Sequence, residues 1–215
     1  MADPDLVLYH CPNACSQVAI YALEKAGAEY RVELVNLYQA QQQTAEYLAI
    51  SPLGKVPLLM VDGKPLMENA AILTLIGALW PDAGVFPANP SPLTRAEMVG
   101  GMSFCGGTLH PLVRGIANPQ RMTTGDVEPV REMSRRLFEK SVKYAEKRVT
   151  ESGWWLGEQS VVDVYLNWVL SVAQRTGFSL VSFPHLSSLK DRLMAEPAFA
   201  RMQAQEAEFS KTLGV

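Results

Sequence analysis

An α/β sheet domain followed by an all-α helical bundle is the fold class this sequence predicts, and three observations predict it. The first eighty-odd residues alternate short apolar strands with helical stretches; a segment rich in Pro, Gly and Asn then breaks the pattern; every periodic segment beyond it is helical. With 215 residues, 48% of them apolar, the chain can bury one large core or two modest ones.

The elements follow in order. DLVLYH is a short strand, and residues 14 to 26 form a helix with Val18, Ala19, Ala22, Leu23 and Ala26 on one face and Gly27 as its stop. YRVELVNL alternates as a second strand. Residues 39 to 50 read as a polar helix, VPLLMVDG as a third strand, and KPLM as a fourth across the Asp62-Gly63 hairpin signal. An apolar helix from Glu68 to Trp80 closes the β-α-β unit and hairpin into a mixed-sheet domain. PDAGVFPANPSP has linker composition, so residues 1–82 form the first domain, 83–92 the linker and 93–215 the bundle. Bundle helices are expected at Leu93–Ile116, Val127–Thr150, Val162–Thr176, His185–Ala195 and Ala198–Lys211. Neither internal repeats nor low-complexity tracts are visible.

Charge and composition exclude several classes. A formal net charge of -3, with acidic and basic residues interleaved, gives no electrostatic reason for nucleic acid or an acidic membrane as partner. The N-terminal stretch lacks a basic region followed by an apolar one, and AAILTLIGALW falls short of the roughly 20 residues that span a bilayer. Three cysteines suit free thiols in a reducing compartment, so a cytoplasmic location is expected.

Four places carry candidate chemistry. In HCPNACS, Cys15 is expected to begin a helix, where backbone N–H groups and the dipole stabilise a thiolate, its own or a ligand's; lowering a thiol pKa from about 8.5 to about 6.5 takes only about 2.7 kcal/mol. Ser16 adds a hydroxyl. Cys11 and Cys15 do not have the spacing of a dithiol redox pair, and His10, His110 and His185 are too scattered for a metal site. Val56-Pro57 opens the third strand; a trans proline is the commoner case there, and a cis bond is the alternative. Glu68 and Asn69 fall at a helix start, either as a plain cap or as a site for a carboxylate ligand. His110 stands between Gly106-Gly107 and Pro111, a combination that kinks a helix and opens a pocket wall, although a lone helical histidine is more often a packing residue.

In order and spacing, CPNACS, Val56-Pro57 and Glu68-Asn69, followed by a linker, a bundle and GEQSVVDVYL, resemble the cytosolic glutathione transferase family over nearly the whole chain. ACS at the first helix and His110 in TLHPLVR are similar to the bacterial beta class. The resemblance implies a thioredoxin-like first domain and a cis Val56-Pro57 bond. It implies Cys15 and Ser16 at the sulfur of glutathione, the Val56 backbone on its cysteinyl backbone, Glu68 and Asn69 on the γ-glutamyl head, and Lys55 on the glycyl carboxylate. His110 would approach the sulfur from the bundle. Two departures stand out: His10 lies where the family's strand often ends in tyrosine, with Tyr9 adjacent, so both join Cys15 and Ser16 as candidates to act on the sulfur, and Asn69 lies where serine is usual. In GEQSVVDVYL, Ser160 and Asp163 form a capping box that nucleates a buried helix.

The implied activity is conjugation of glutathione, as cosubstrate and without a metal, to a hydrophobic electrophile held in a pocket that Met102, Phe104 and Leu109 would line. Met122 and Phe178 could face that pocket or the core. A second reading makes Cys15 a nucleophile in glutathione thiol transfer, disulfide reduction or ether cleavage. A third keeps the fold as a non-catalytic binding module. The family also implies a homodimer.

Overall fold

The computed structural model describes residues 3–149 and 152–215. Its first unit is built on a four-stranded sheet of order β2-β1-β3-β4, from β1 (Leu6–His10), β2 (Arg31–Leu34), β3 (Leu58–Val61) and β4 (Lys64–Met67). β1 pairs parallel with β2 and antiparallel with β3, which pairs antiparallel with β4. Alternation along β1 sends Leu6, Leu8 and His10 to a fully buried face and leaves Val7 and Tyr9 half-buried on the other. On the first face α1 (Gln17–Ala26) packs against α3 (Asn69–Leu79), burying Val18, Ala19, Ala22, Leu23, Ile72, Leu73 and Ile76. Gly27 ends α1 in the left-handed conformation, at φ 64°.

The helix expected over residues 39 to 50 is not continuous. Short 3-10 turns run over Leu37–Gln39 and Gln41–Gln43, and only α2 (Ala45–Ile50) is α-helical. Ala40 is left-handed, at φ 57°, which breaks the ladder, and the Thr44 hydroxyl then caps a new helix by accepting from Tyr47 N.

Compact units are Met1–Ala88 with Met194–Val215, and Asn89–Leu193. Two parts of the expected domain plan therefore change. The C-terminal helix α10 (Pro197–Leu213), expected in the bundle, belongs to the first unit because its buried stripe Ala198, Phe199, Met202 and Glu206 packs on α1, with Phe199 edge-on to Tyr21. Lys25–Glu196 and Arg201–Glu24 ion pairs, each 2.7 Å, flank that contact. Partly exposed pairs contribute about 0–1 kcal/mol, and each well-buried large apolar side chain about 1.5–3 kcal/mol, so the stripe holds the helix in place. The expected linker is also partly core: Val85 and Phe86 are buried, and the Phe86 ring lies where a Cβ on Gly77 would stand, 2.7 Å away.

The second unit comprises α4 (Pro92–Ser103), α5 (His110–Ala117), α6 (Glu128–Val149), α7 (Val161–Arg175) and α8 (Pro184–Ser187), with α9 (Leu189–Met194) running to its edge. Thr150, the expected end of α6, lies outside the described residues. The segment expected as one long helix from Leu93 changes to a π-helix over Phe104–Leu109 before resuming at His110. Its glycines do different work. A Cβ on Gly101 would stand 2.6 Å from Trp155 Nε1, and one on Gly106 3.0 Å from the Tyr165 hydroxyl, whereas Gly107 faces open space. Met102 and Leu109 are buried in the helical core and do not line a pocket as expected, whereas Phe104 is half-buried and stacks on Trp155 at 5.1 Å. Phe178 is also core, edge-on to Phe138. No described helix is long and apolar enough to cross a membrane.

α7 runs through the middle of this unit, with Val161 to Leu170 buried throughout. The buried Asp163 carboxylate accepts from Ser160 N at 2.9 Å and Trp155 N at 2.8 Å, tying the preceding loop to the first turn. Burial pushes its pKa up to about 6 from an ordinary 3.8, against the lowering effect of those N–H donors. The folded state therefore holds this proton more tightly than the unfolded chain does, and the Asp163 contribution to stability falls as pH rises from about 4 to about 6. The difference in urea-unfolding free energy between wild type and Asp163→Asn, measured against pH, is expected to decline across that window and to be level above it. A flat difference curve would show that Asp163 is not the group that titrates.

Candidate functional site

The chain leaves β1 at His10, makes a tight turn through Cys11–Ser16 and enters α1. Cys15 precedes the N-cap residue, Ser16, so the helix begins at Gln17, two residues after the start expected at Cys15. Its carbonyl accepts from Val18 N at 3.2 Å and from Asn69 Nδ2 at 3.0 Å. Its thiol, 6% exposed as a residue, donates to the Val56 carbonyl at 3.7 Å.

Ser16 and His10 occupy a different place from the one expected. Both are fully buried: Ser16 Oγ lies 2.8 Å from His10 Nδ1, accepts from Cys11 N at 3.4 Å and donates to Cys11 O at 3.5 Å. Neither is available to a ligand's sulfur, because the β1 register directs His10 to the core face and Ser16 closes the turn beneath it. His10 Nε2 stands 2.8 Å from Glu206 Oε1, an ion-pair distance with angles poor for a hydrogen bond. Tyr9 points to the opposite sheet face, edge-on to Tyr47 at 5.8 Å. There Cys11, Ala14, Val35, Tyr47 and Val56 form a small apolar cluster, which gives Cys11 a packing role.

Val56-Pro57 is cis. The turn before it is braced by the Tyr47 hydroxyl, which donates to Lys55 O at 2.8 Å, and by Ser51 Oγ, which donates to the same carbonyl at 3.1 Å. Burial raises the Tyr47 phenol to about 12, which keeps it a donor. Gly54 is required here: at φ 57°, a side chain would be strained and its Cβ would stand 2.9 Å from Gln42 O. The Lys55 side chain is exposed beyond this brace.

At the start of α3, Glu68 is exposed and held at φ 72°, and its side chain makes no capping hydrogen bond. A positive φ costs a non-glycine residue on the order of 1 kcal/mol or more, and such conformations concentrate at functional sites. Plain capping is thus not its role. Asn69 is buried; its amide N–H holds the Cys15 carbonyl, and its Oδ1 is buried with no hydrogen-bond partner among the described residues. The side chain expected to hold ligand is instead a strut between the starts of α1 and α3.

His110 belongs to the second unit. It is half-buried, edge-on to Trp168 at 4.6 Å, and its Nε2 accepts from Arg114 Nε at 3.2 Å, which places the ring proton of a neutral imidazole on Nδ1. No group of three or more His, Cys, Asp or Glu among the described residues could hold a metal ion.

The sequence reading missed Glu206. Besides facing His10, its Oε2 accepts from Asn13 N at 2.9 Å, and Asn13 is itself left-handed at φ 65°. A signal was present: on α10 Glu206 falls in phase with Phe199 and Met202, and a carboxylate on an apolar stripe requires a partner.

Residues 4–77 match the family model described as glutathione S-transferase, N-terminal domain. The chain is 30% identical over 199 residues to a maleylacetoacetate isomerase of Pseudomonas aeruginosa, covering 90% of this chain and 92% of that protein. Among solved structures it resembles a glutathione transferase homologue from Sulfitobacter with bound glutathione, at TM-score 0.85 and 25% identity over 94% of this chain and 98% of that one. It also resembles a bacterial beta class glutathione S-transferase from Sphingomonas chungbukensis, at TM-score 0.81 and 26% identity over 93% and 98%. A sheet corner presenting a thiol, a cis-proline turn and an uncapped helix start, joined to these likenesses over nearly the whole length, makes the chain a member of the glutathione S-transferase family of enzymes.

Proposed function

We propose that the first unit binds glutathione and that the enzyme adds its sulfur to an electrophilic carbon of a hydrophobic substrate. The observation that carries this reading is the start of α3. An exposed, uncapped Glu68 carboxylate beside first-turn N–H groups that have no intrahelical partner suits a zwitterionic amino-acid head, with the ammonium on Glu68 and the carboxylate on the N–H groups. From that anchor the peptide would run along the Val56 backbone, with its glycyl carboxylate toward Lys55 and its sulfur beside Cys15. The start of α1 favours negative charge there. Cys15 is then a contact and hydrogen-bond donor to the bound thiolate, a role its present bond to the Val56 carbonyl supports over that of nucleophile.

The 30% likeness to an isomerase favours a second outcome at the same site. A thiolate that adds to an alkene conjugated with a carbonyl leaves a single bond free to rotate; expulsion of the thiolate then returns glutathione and the isomerised alkene. Conjugation consumes one glutathione per turnover, and isomerisation consumes none. Assembly as a homodimer is also proposed, supported by exposed Met133 and Leu137 one turn apart on α6 and exposed Leu93 and Val99 on α4.

Three results are expected. Glu68→Ala should weaken glutathione binding by about tenfold or more in calorimetry, the scale of one lost charge-assisted contact, and an unchanged affinity would overturn the placement of the peptide. Cys15→Ala should retain turnover of a chloro-nitroaromatic electrophile, and iodoacetamide should label Cys15 slowly at neutral pH; fast selective labelling with loss of turnover would instead establish Cys15 as the nucleophile. With a cis-enedione substrate, the balance of glutathione consumed against alkene isomerised separates addition from isomerisation, and a chain that does neither contradicts both.

A further inference from the structure

We infer that Glu206 of the C-terminal helix is a positioning residue for the glutathione site: its carboxylate holds the Cys11–Ser16 turn in the shape that presents Cys15. This rests on the functional reading above and adds a component nearly two hundred residues away in sequence.

The turn from β1 into α1 keeps its shape through polar contacts. It carries a left-handed asparagine at residue 13, and asparagine tolerates that conformation without being confined to it. Within the turn, Ala14 N donates to Cys11 O at 3.1 Å and Ser16 Oγ bridges the Cys11 backbone at 3.4 and 3.5 Å, long contacts for a hydroxyl. The shorter contacts come from outside. Glu206 Oε2 accepts from Asn13 N at 2.9 Å, and Glu206 Oε1 lies 2.8 Å from Nε2 of His10, whose Nδ1 is 2.8 Å from Ser16 Oγ. One carboxylate thus grips the turn at its middle, directly, and at both ends, through His10 and Ser16. Asn69 fixes the far side by holding the Cys15 carbonyl at 3.0 Å.

The place of Glu206 on α10 supports the same assignment. Glu206 is 9% exposed, and a carboxylate placed on an apolar stripe costs stability unless its partners compensate. A leucine or methionine there would pack α10 equally well and leave the turn unheld. What the charged residue supplies is an acceptor for the Asn13 N–H on one oxygen and a carboxylate at ion-pair distance from the imidazole on the other.

Two measurements on the full-length chain test this, one without glutathione. In hydrogen exchange, Glu206→Ala should expose the Asn13 amide and speed exchange across Cys11–Ser16, while the sheet amides of β1 and β3 keep their protection. In steady-state kinetics with a chloro-nitroaromatic electrophile, the same variant should raise KM for glutathione about tenfold with a smaller change in kcat, and Glu206→Gln, whose carbonyl still accepts from Asn13 N, should recover most of that loss. Glu208→Ala, an exposed change one turn-face away on the same helix, is the control for general loosening of α10. If Glu206→Ala does not fold, Glu206→Asp, too short to reach both partners, provides both readouts. Unchanged exchange at Asn13, or an unchanged KM despite faster exchange, overturns the inference, as does a Glu206→Gln variant no better than Glu206→Ala. Failure of the wild-type chain to bind glutathione would refute the functional reading and leave the exchange result to stand or fall alone.

Discussion

Three chain ends meet in one buried corner of the first unit, and their polar groups have to satisfy one another. The last residue of β1, the turn into α1 and the start of α3 crowd backbone polar groups together, and each one left unpaired away from water would cost about 1–3 kcal/mol. Ser16 serves the Cys11 backbone, Asn69 serves the Cys15 carbonyl, and Glu206 serves the Asn13 N–H. These side chains are committed inward. What remains outward is a second set: the Glu68 carboxylate, the Lys55 side chain and the first-turn N–H groups of α3. The division separates residues that shape the corner from residues that can meet a ligand. It also sets neighbours apart: Glu68 is exposed while Asn69 is buried.

The sequence made the sheet order's ingredients legible because β1 to β4 are short, apolar and bounded by turn residues, and local pattern decides such elements. It also made the capping box legible, since Ser160 and Asp163 are three residues apart and their contact is local. The motifs of the site were readable as positions but not as orientations. His10 and Ser16 were assigned to the ligand, yet period-two alternation already places His10 with Leu6 and Leu8 on the buried face. The fate of α10 was less accessible. Its amphipathic period shows that it packs on something, but nothing local distinguishes the sheet unit from the bundle as its partner, and only the charged residue at 206 on the apolar stripe hinted at a polar target.

Residue identities that look alike in sequence also differ in role because packing decides between them. Gly106 and Gly107 are neighbours in the same π-helical segment, but one admits the Tyr165 hydroxyl and the other faces open space. Met102 and Leu109 read as pocket lining from their place beside those glycines. They are core residues, Met102 on α4 and Leu109 at the end of the π-helical segment, both buried.

The second unit fixes its interior and leaves a small part of its surface free to vary. α7 is buried along ten consecutive residues, Gly101 brings Trp155 against α4, and Asp163 ties the Trp155 loop to the α7 start, so this region tolerates little change in volume or charge. Through this same region the π-helical segment shifts the helical phase and restarts it at His110, whose ring rests on Trp168 and accepts from Arg114. Side chains on the open side of that restart, near Gly107 and Pro111, can change without disturbing the core.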